Sequence, residues 1–233
     1  GENQGGLAYC PSAGPIVSGH TTTGAAGLGN PFYARCTALS ANGACTSFSS
    51  VAMTNGCSGS ACFSSGITSS SNAGQRTSLV LDPNNKPVLG IYSVATPATS
   101  LLTSVLPSAC GTAPSTTAGS WGSMQTVGSA QEGVNGFSLS VSATQLFAAY
   151  TKSTTTVQIN ACTLGSCTWF ASAATVETTT VNNEGVGLKY EPSSDQLYMS
   201  YARLPSAAAN TYGNDIVFAS GAPSDIVSAG NLI

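Results

Sequence analysis

SLVLDPNNKPVLGIYS, residues 78–93, decides how this chain folds, because its pattern has already appeared once: GLAYCPSAGPIVSG occupies residues 6–19. Each stretch alternates along a first arm, breaks at a turn rich in Pro, Asn or Ser, and resumes in a second arm. Period two is the pattern of a half-buried strand, and the break is hairpin-turn chemistry. Two further copies follow, SLSVSATQLFAAY from Ser138 and GLKYEPSSDQLYMSY from Gly187. In this alignment Leu7, Leu79, Leu139 and Leu188 coincide, and the second arm ends on His20, Tyr92, Tyr150 or Tyr201.

Working outward, each hairpin is followed by related material. PFYARC, SLLTSVLPSAC, TVQINAC and NDIVFAS read as third strands. CTSFSSVAM, SWGSMQTV and CTWFASAATV read as fourth strands, with Phe48, Trp121 and Trp169 near their beginnings; SDIVSAGNLI is all that remains to supply the last one. The leucines place the copies at offsets of 72, 60 and 49 residues. The first offset is lengthened by a Ser/Gly-rich insertion at 54–77. The repeats therefore span 6–53, 78–127, 137–176 and 186–233 of a single domain, 1–233. Four-stranded repeats of this length are the mark of propeller blades. The expected fold is all-β, with four repeated four-stranded units arranged like a β-propeller. Either four blades close a ring, or an incomplete ring is finished by a neighbouring chain, because a missing last strand leaves an edge that proteins cover.

Composition bounds the function classes. Only 6% of residues are charged and the net charge is −3, while 42% are hydrophobic; disordered chains show the opposite balance. Six scattered Lys and Arg residues form no basic patch, so nucleic-acid binding is excluded. No apolar run reaches the roughly 20 residues of a membrane helix. The opening GENQGG lacks the charged and apolar regions of a signal peptide, so the chain reads as mature protein. Eight cysteines point to an oxidising compartment, and thus to a secreted or cell-surface, extracellular protein. The C-x₄-C spacings and a lone histidine do not suit zinc, so no metal or cofactor is expected.

The blades resemble those of secreted β-propeller repeat proteins, most closely at Ser78–Ser93, and more distantly those of the sialidases. Sialidase-like blades carry an Asp-box turn between third and fourth strands. The corresponding turns here, CTALSANGACTSF and CTLGSCTWF, keep the aromatic residue and replace the Asp by a cysteine pair. The resemblance implies a radial arrangement of blades and specifies no activity.

Within the repeat alignment, Cys36–Cys45 and Cys162–Cys167 each close the same hairpin, and Cys57–Cys62 staples the insertion. Bookkeeping then leaves Cys10 to pair with Cys110, joining the first repeat to the second. The acids offer no obvious catalytic pair: Asp82 and Glu191 occupy equivalent turns and read as turn caps, and Glu184 reads as a solvated loop acid. Arg35, Arg76 and Arg203 are not equivalent, so a substrate-gripping arginine triad does not map onto them. His20, Tyr92, Tyr150 and Tyr201 have two readings, as structural strand-end residues or as an aromatic sugar-stacking rim. On these grounds the sequence is expected to encode a non-enzymatic structural or adhesive protein, the repeating subunit of an extracellular filament, with self-association as its partnership. Ser/Thr clusters such as STTAGS and KSTTT mark it as a candidate O-glycoprotein. The alternatives are a lectin-like glycan-binding propeller and, last, a divergent glycosidase.

Overall fold

The structure is a computed structural model that describes residues 5–20, 31–52, 62–63, 73–93, 100–105, 108–112, 118–121, 125–127, 132–152, 155–165, 167, 169, 173–178, 183–203 and 215–227. The chain falls into two compact units, Gly1–Thr126 and Val127–Ile233.

The first unit begins with β1 (Gly6–Cys10), β2 (Gly14–His20), β3 (Pro31–Leu39) and β4 (Cys45–Ala52), paired antiparallel in chain order. A short β5 (Cys62–Phe63) comes from the insertion. The second sheet follows as β6 (Ala73–Leu81), β7 (Pro87–Ser93) and β8 (Ser100–Val105). Its fourth strand differs from the expected one. Of SWGSMQTV only β10 (Gln125–Thr126) joins β8, whereas β9 (Ala118–Trp121) pairs in parallel with β5. That pairing gives the inserted segment a backbone partner, which an unpaired strand lacks. The first two sheets pack through Ile16, Tyr33, Leu79, Leu89 and Ile91. Gly6 permits the approach, since a Cβ there would lie 2.5 Å from the Leu79 amide nitrogen. The Ser18 and Thr77 hydroxyls meet across the same contact at 2.9 Å. The disulfide Cys10–Cys110 locks the unit over a separation of 100 residues, and Cys36–Cys45 closes the β3–β4 turn. Cys57, and with it the expected Cys57–Cys62 staple, lies outside the described residues.

The second unit contains β11 (Glu132–Val141), β12 (Gln145–Lys152), β13 (Thr156–Thr163) and β14 (Ala174–Thr178) as one sheet. A second sheet is formed by β15 (Asn183–Glu191), β16 (Gln196–Arg203) and β17 (Asp215–Gly221). Phe147, Ala149, Val157 and Ile159 of one sheet pack on Val186, Leu188, Met199 and Tyr201 of the other. Cys162–Cys167 staples the turn after β13. The segment expected to give the final fourth strand begins instead as the short helix α1 (Pro223–Val227). Proline suits a first helical turn because its missing N–H has no partner there anyway, and the Asp225 carboxylate accepts the Ala222 N–H at 3.0 Å. Residues 228–233 lie outside the described residues. The last sheet thus has three strands among the described residues, and no sheet closes on itself. Over residues 223–227, α1 thus stands where the last fourth strand was expected.

Register corrects a second expectation. Leu7, Leu79, Leu139 and Leu188 pair with Val17, Leu89, Ala148 and Met199. Tyr150 and Tyr201 stand two residues beyond those partners, whereas Tyr92 and His20 stand three beyond. Because sheet faces alternate with period two, Tyr92 lies on the opposite face from the position that Tyr150 and Tyr201 share. The four-fold equivalence of His20, Tyr92, Tyr150 and Tyr201 does not hold. Hairpin loops of unequal length hide the slip in an ungapped reading.

Candidate functional site

The polar chemistry of the second unit gathers where β11 and β15 begin. Both strands are bulged there, with register breaks between Glu132 and Phe137 and between Glu184 and Gly187. Bulges of this kind re-aim side chains and cluster beside active sites. The two strands meet backbone to backbone at glycines: a Cβ on Gly136 would lie 2.9 Å from the Val186 nitrogen and 3.0 Å from that of Gly185. Their φ angles, +151° and +58°, lie in the region that favours glycine. Further along, the Tyr190 N–H donates to the Ser140 hydroxyl at 2.8 Å.

Register then places the charges. Glu132 pairs with Lys152, Glu184 with Ala202, Asn183 with Arg203, and Arg203 in turn with Asp215. Glu177, on β14, pairs with Val157 at the same end. Glu132, Glu177, Glu184 and Asp215, with Lys152 and Arg203, thus occupy strand positions towards one end of the two sheets of this unit. Glu184, expected in a loop, is part of β15.

Glu177 is the acid whose surroundings are defined in most detail. The Tyr201 phenol donates to its Oε2, and Arg203 Nη2 donates to its Oε1. Both partners come from β16, so the cluster ties β14 of one sheet to the central strand of the next. Glu177 and Arg203 are partly buried. Arg203 Nε is buried and has no hydrogen-bond partner among the described residues. Burial, the donated hydrogen bond and the Glu177 charge together push the Tyr201 phenol well above its ordinary value, with Arg203 opposing. Tyr201 therefore remains a donor throughout the physiological range. Sequence reasoning gave Glu177 no role, since its partners lie 24 and 26 residues away and only strand register reveals them.

The other anticipated residues are distributed differently. Tyr92, Tyr150 and Tyr201 are buried, so they do not present the aromatic stacking rim that one reading gave them. Burial holds the Tyr92 phenol above its ordinary value, against the nearby Arg76 charge. His20 ends β2, paired with Pro31. Arg35 donates through Nη1 to the Gly111 carbonyl at 2.6 Å, and Arg76 lies within β6. Asp82 Oδ1 accepts the N–H groups of Asn84 and Lys86 at 2.9 and 2.7 Å, and Glu191 Oε1 accepts from Ser193. Both acids thus cap turns. Trp169 is buried, whereas Phe48 is half exposed. No group of three or more His, Cys, Asp or Glu residues among the described residues is placed to hold a metal. Among them, too, no helix is long and apolar enough to cross a membrane.

The sheets define a β-propeller-type fold, and solved structures carry the same architecture. The chain is similar to a Penicillium chrysogenum α-L-arabinanase complexed with arabinobiose, at 12% identity and a TM-score of 0.63. That match covers 98% of this chain and 65% of the arabinanase. It is also similar to the catalytic domain of a Coprinopsis cinerea GH62 α-L-arabinofuranosidase (10% identity, TM-score 0.52). A third similar structure is a Podospora anserina α-L-arabinofuranosidase in complex with cellotriose (6% identity, TM-score 0.52). Both of these matches cover 94% of this chain and 63% of the other. The chain thus spans just under two thirds of the length of these structures, which are five-bladed propellers. No sequence-family model matches it, and no curated protein matches it by sequence.

These likenesses correct the expected function. The sialidase resemblance finds no support among them, and a non-enzymatic structural or filament protein is overturned by neighbours that are glycoside-cleaving enzymes.

Proposed function

We propose that this chain is a divergent glycosidase, secreted, whose substrates are polysaccharides bearing arabinofuranosyl units. The observation that carries the reading is the fold match over 98% of the chain to an arabinanase complexed with arabinobiose. The acidic residues at strand positions towards one end of the second unit supply a chemical rationale. Glycoside hydrolysis uses one carboxylic acid to protonate the leaving oxygen and a second carboxylate to attack the anomeric carbon or activate water. Glu132 and Glu184, at the starts of adjoining bulged strands, are the candidates for that pair. Glu177 has a different part. With both oxygens engaged by Tyr201 and Arg203, it is a positioning residue that ties β14 to β16. The three disulfides among the described residues suit an enzyme working outside the cell.

The test is release of reducing sugar from arabinan, and of phenolate from an aryl α-L-arabinofuranoside, by the disulfide-intact protein. Hydrolysis is expected, with E132Q and E184Q each slower by about 10²–10⁴-fold while their circular dichroism is unchanged. Absence of hydrolysis on both substrates, or rates indifferent to both substitutions, would reject the reading. Binding of arabino-oligosaccharides without turnover would show a carbohydrate-binding propeller instead.

A further inference from the structure

The two faces of the β15–β17 sheet differ in what they touch. Leu188, Leu197, Met199 and Tyr201 are buried in the core shared with the β11–β14 sheet. The opposite face is laid out by register in rows that cross the strands. Gly187 pairs with Ser200 and Ser200 with Phe218; Lys189 pairs with Tyr198 and Tyr198 with Ser220. Gly187, Lys189, Tyr198, Ser200 and Phe218 line an open groove of about 290 Å³, near the lower end of the range for small-molecule sites.

The groove exists because its floor is small. A Cβ on Gly187 would lie 3.1 Å from the Ser200 hydroxyl oxygen, so a side chain there would fill the channel. Its walls are aromatic rings: Tyr198 is 48% exposed and Phe218 79%. They are diagonal neighbours on adjacent strands, a backbone separation of roughly 7–8 Å across which aromatic side chains reach.

The surroundings select the ligand. One neighbouring row carries, by backbone register, Glu184, Ala202 and Ile216; the next row on the other side carries Glu191 and Gln196. Lys189 is exposed between them. The centre of a protein–protein contact is depleted in charge, and a protein seated here would have to desolvate both signs. A sugar imposes no such cost. Its C–H face lies on an aromatic ring while its hydroxyls donate to and accept from the polar groups at the edge.

We infer that the groove between Tyr198 and Phe218 binds a sugar unit of a neutral polysaccharide of the arabinan class. The ligand class rests on the glycosidase reading; the groove itself does not. One sugar ring stacks on the exposed aromatic wall, and the Ser200 hydroxyl and Lys189 ammonium donate to its oxygens. Ser200 and Ala202 are roughly 7 Å apart along β16, so the groove lies one row from the backbone position of Glu184. It holds a unit neighbouring the one presented to that acid.

Affinity electrophoresis through gels containing soluble arabinan tests this. E132Q serves as the host, so that cleavage does not consume the polymer; Glu132 lies in the other sheet, on β11. Retardation is expected relative to a gel without polysaccharide. Y198A and F218A, both at exposed positions, should each raise the apparent dissociation constant about tenfold. G187V should do the same by filling the floor while both rings remain, with circular dichroism unchanged in all three. No retardation, or retardation that all three substitutions leave unchanged, would overturn the inference. Retardation that depends on Tyr198 and Phe218, in a protein whose native form cleaves neither test substrate, would uphold the groove and reject the glycosidase reading. Cleavage of arabinan by the native chain, with retardation indifferent to the three substitutions, would do the reverse.

Discussion

Tyr201 on β16 and Glu177 on β14 are joined across two sheets, phenol donating to carboxylate, with Arg203 holding the other carboxylate oxygen. A hydrogen bond to a charged group contributes about 1.5–3 kcal/mol. Y201F keeps the ring and removes the donor, so it should lower unfolding free energy by about 1–2 kcal/mol in urea titrations. E177Q loses the ion pair as well. If the two groups act as one unit, the double variant will be less destabilised than the sum of the singles; strict additivity would show that the contact contributes nothing.

The fold was legible to the extent that it rests on local alternation. Leu7, Leu79, Leu139 and Leu188 mark the first strands because period two survives in each copy, and cysteine bookkeeping reaches Cys10–Cys110 without coordinates. The candidate site was much less legible. Glu177 meets Tyr201 and Arg203 only after two strands have taken a particular register, and Tyr92 looks equivalent to Tyr201 until the hairpin loops are measured. A one-residue slip changes the face and leaves composition untouched. Trp121 misled for another reason, because β9 takes its partner from an insertion that has no counterpart in the other repeats.

Tyr33 is completely buried, and desolvation pushes its phenol up to about 12, with Arg35 opposing. In the unfolded chain a tyrosine loses its proton near 10. Below that pH both states hold the proton and Tyr33 makes stability independent of pH. Above it the unfolded state ionises first, so stability falls between about pH 10 and about pH 12. Tyr201 is shifted in the same direction. Spectrophotometric titration should show tyrosines that resist ionisation until the protein unfolds, and Y33F should flatten the alkaline slope. An unchanged slope would assign the loss to other groups.

Two glycines with positive φ separate backbone preference from steric closure. Gly43, in the β3–β4 turn, has φ +78° and open space around a Cβ; Gly136 has φ +151° and the β15 backbone within 2.9 Å. G43A should cost about 1 kcal/mol from the backbone alone. G136A must also push β11 from β15, and should cost roughly 2–4 kcal/mol. The comparison is made by denaturant unfolding of both variants. Equal costs would show that β11 and β15 are not held together at Gly136.

The disulfides should differ in what they contribute, because they close loops of different length. In the chain-entropy account a bridge over about 100 residues is worth about 4–5 kcal/mol, and one over about five residues roughly 2. Cys10–Cys110 spans 100 residues and joins two sheets, whereas Cys162–Cys167 spans five within one turn. The paired substitution C10S/C110S should therefore lower the melting temperature considerably more than C162S/C167S. Cys10 and Cys110 are also fully buried, so two serines would leave hydroxyls in an apolar core beside Ile16 and Leu79. C10A/C110A removes that second cost. If the alanine pair proves as stable as the native chain, the bridge is replaceable by packing alone. If it remains several kcal/mol less stable, the restriction of the unfolded chain holds the first unit together.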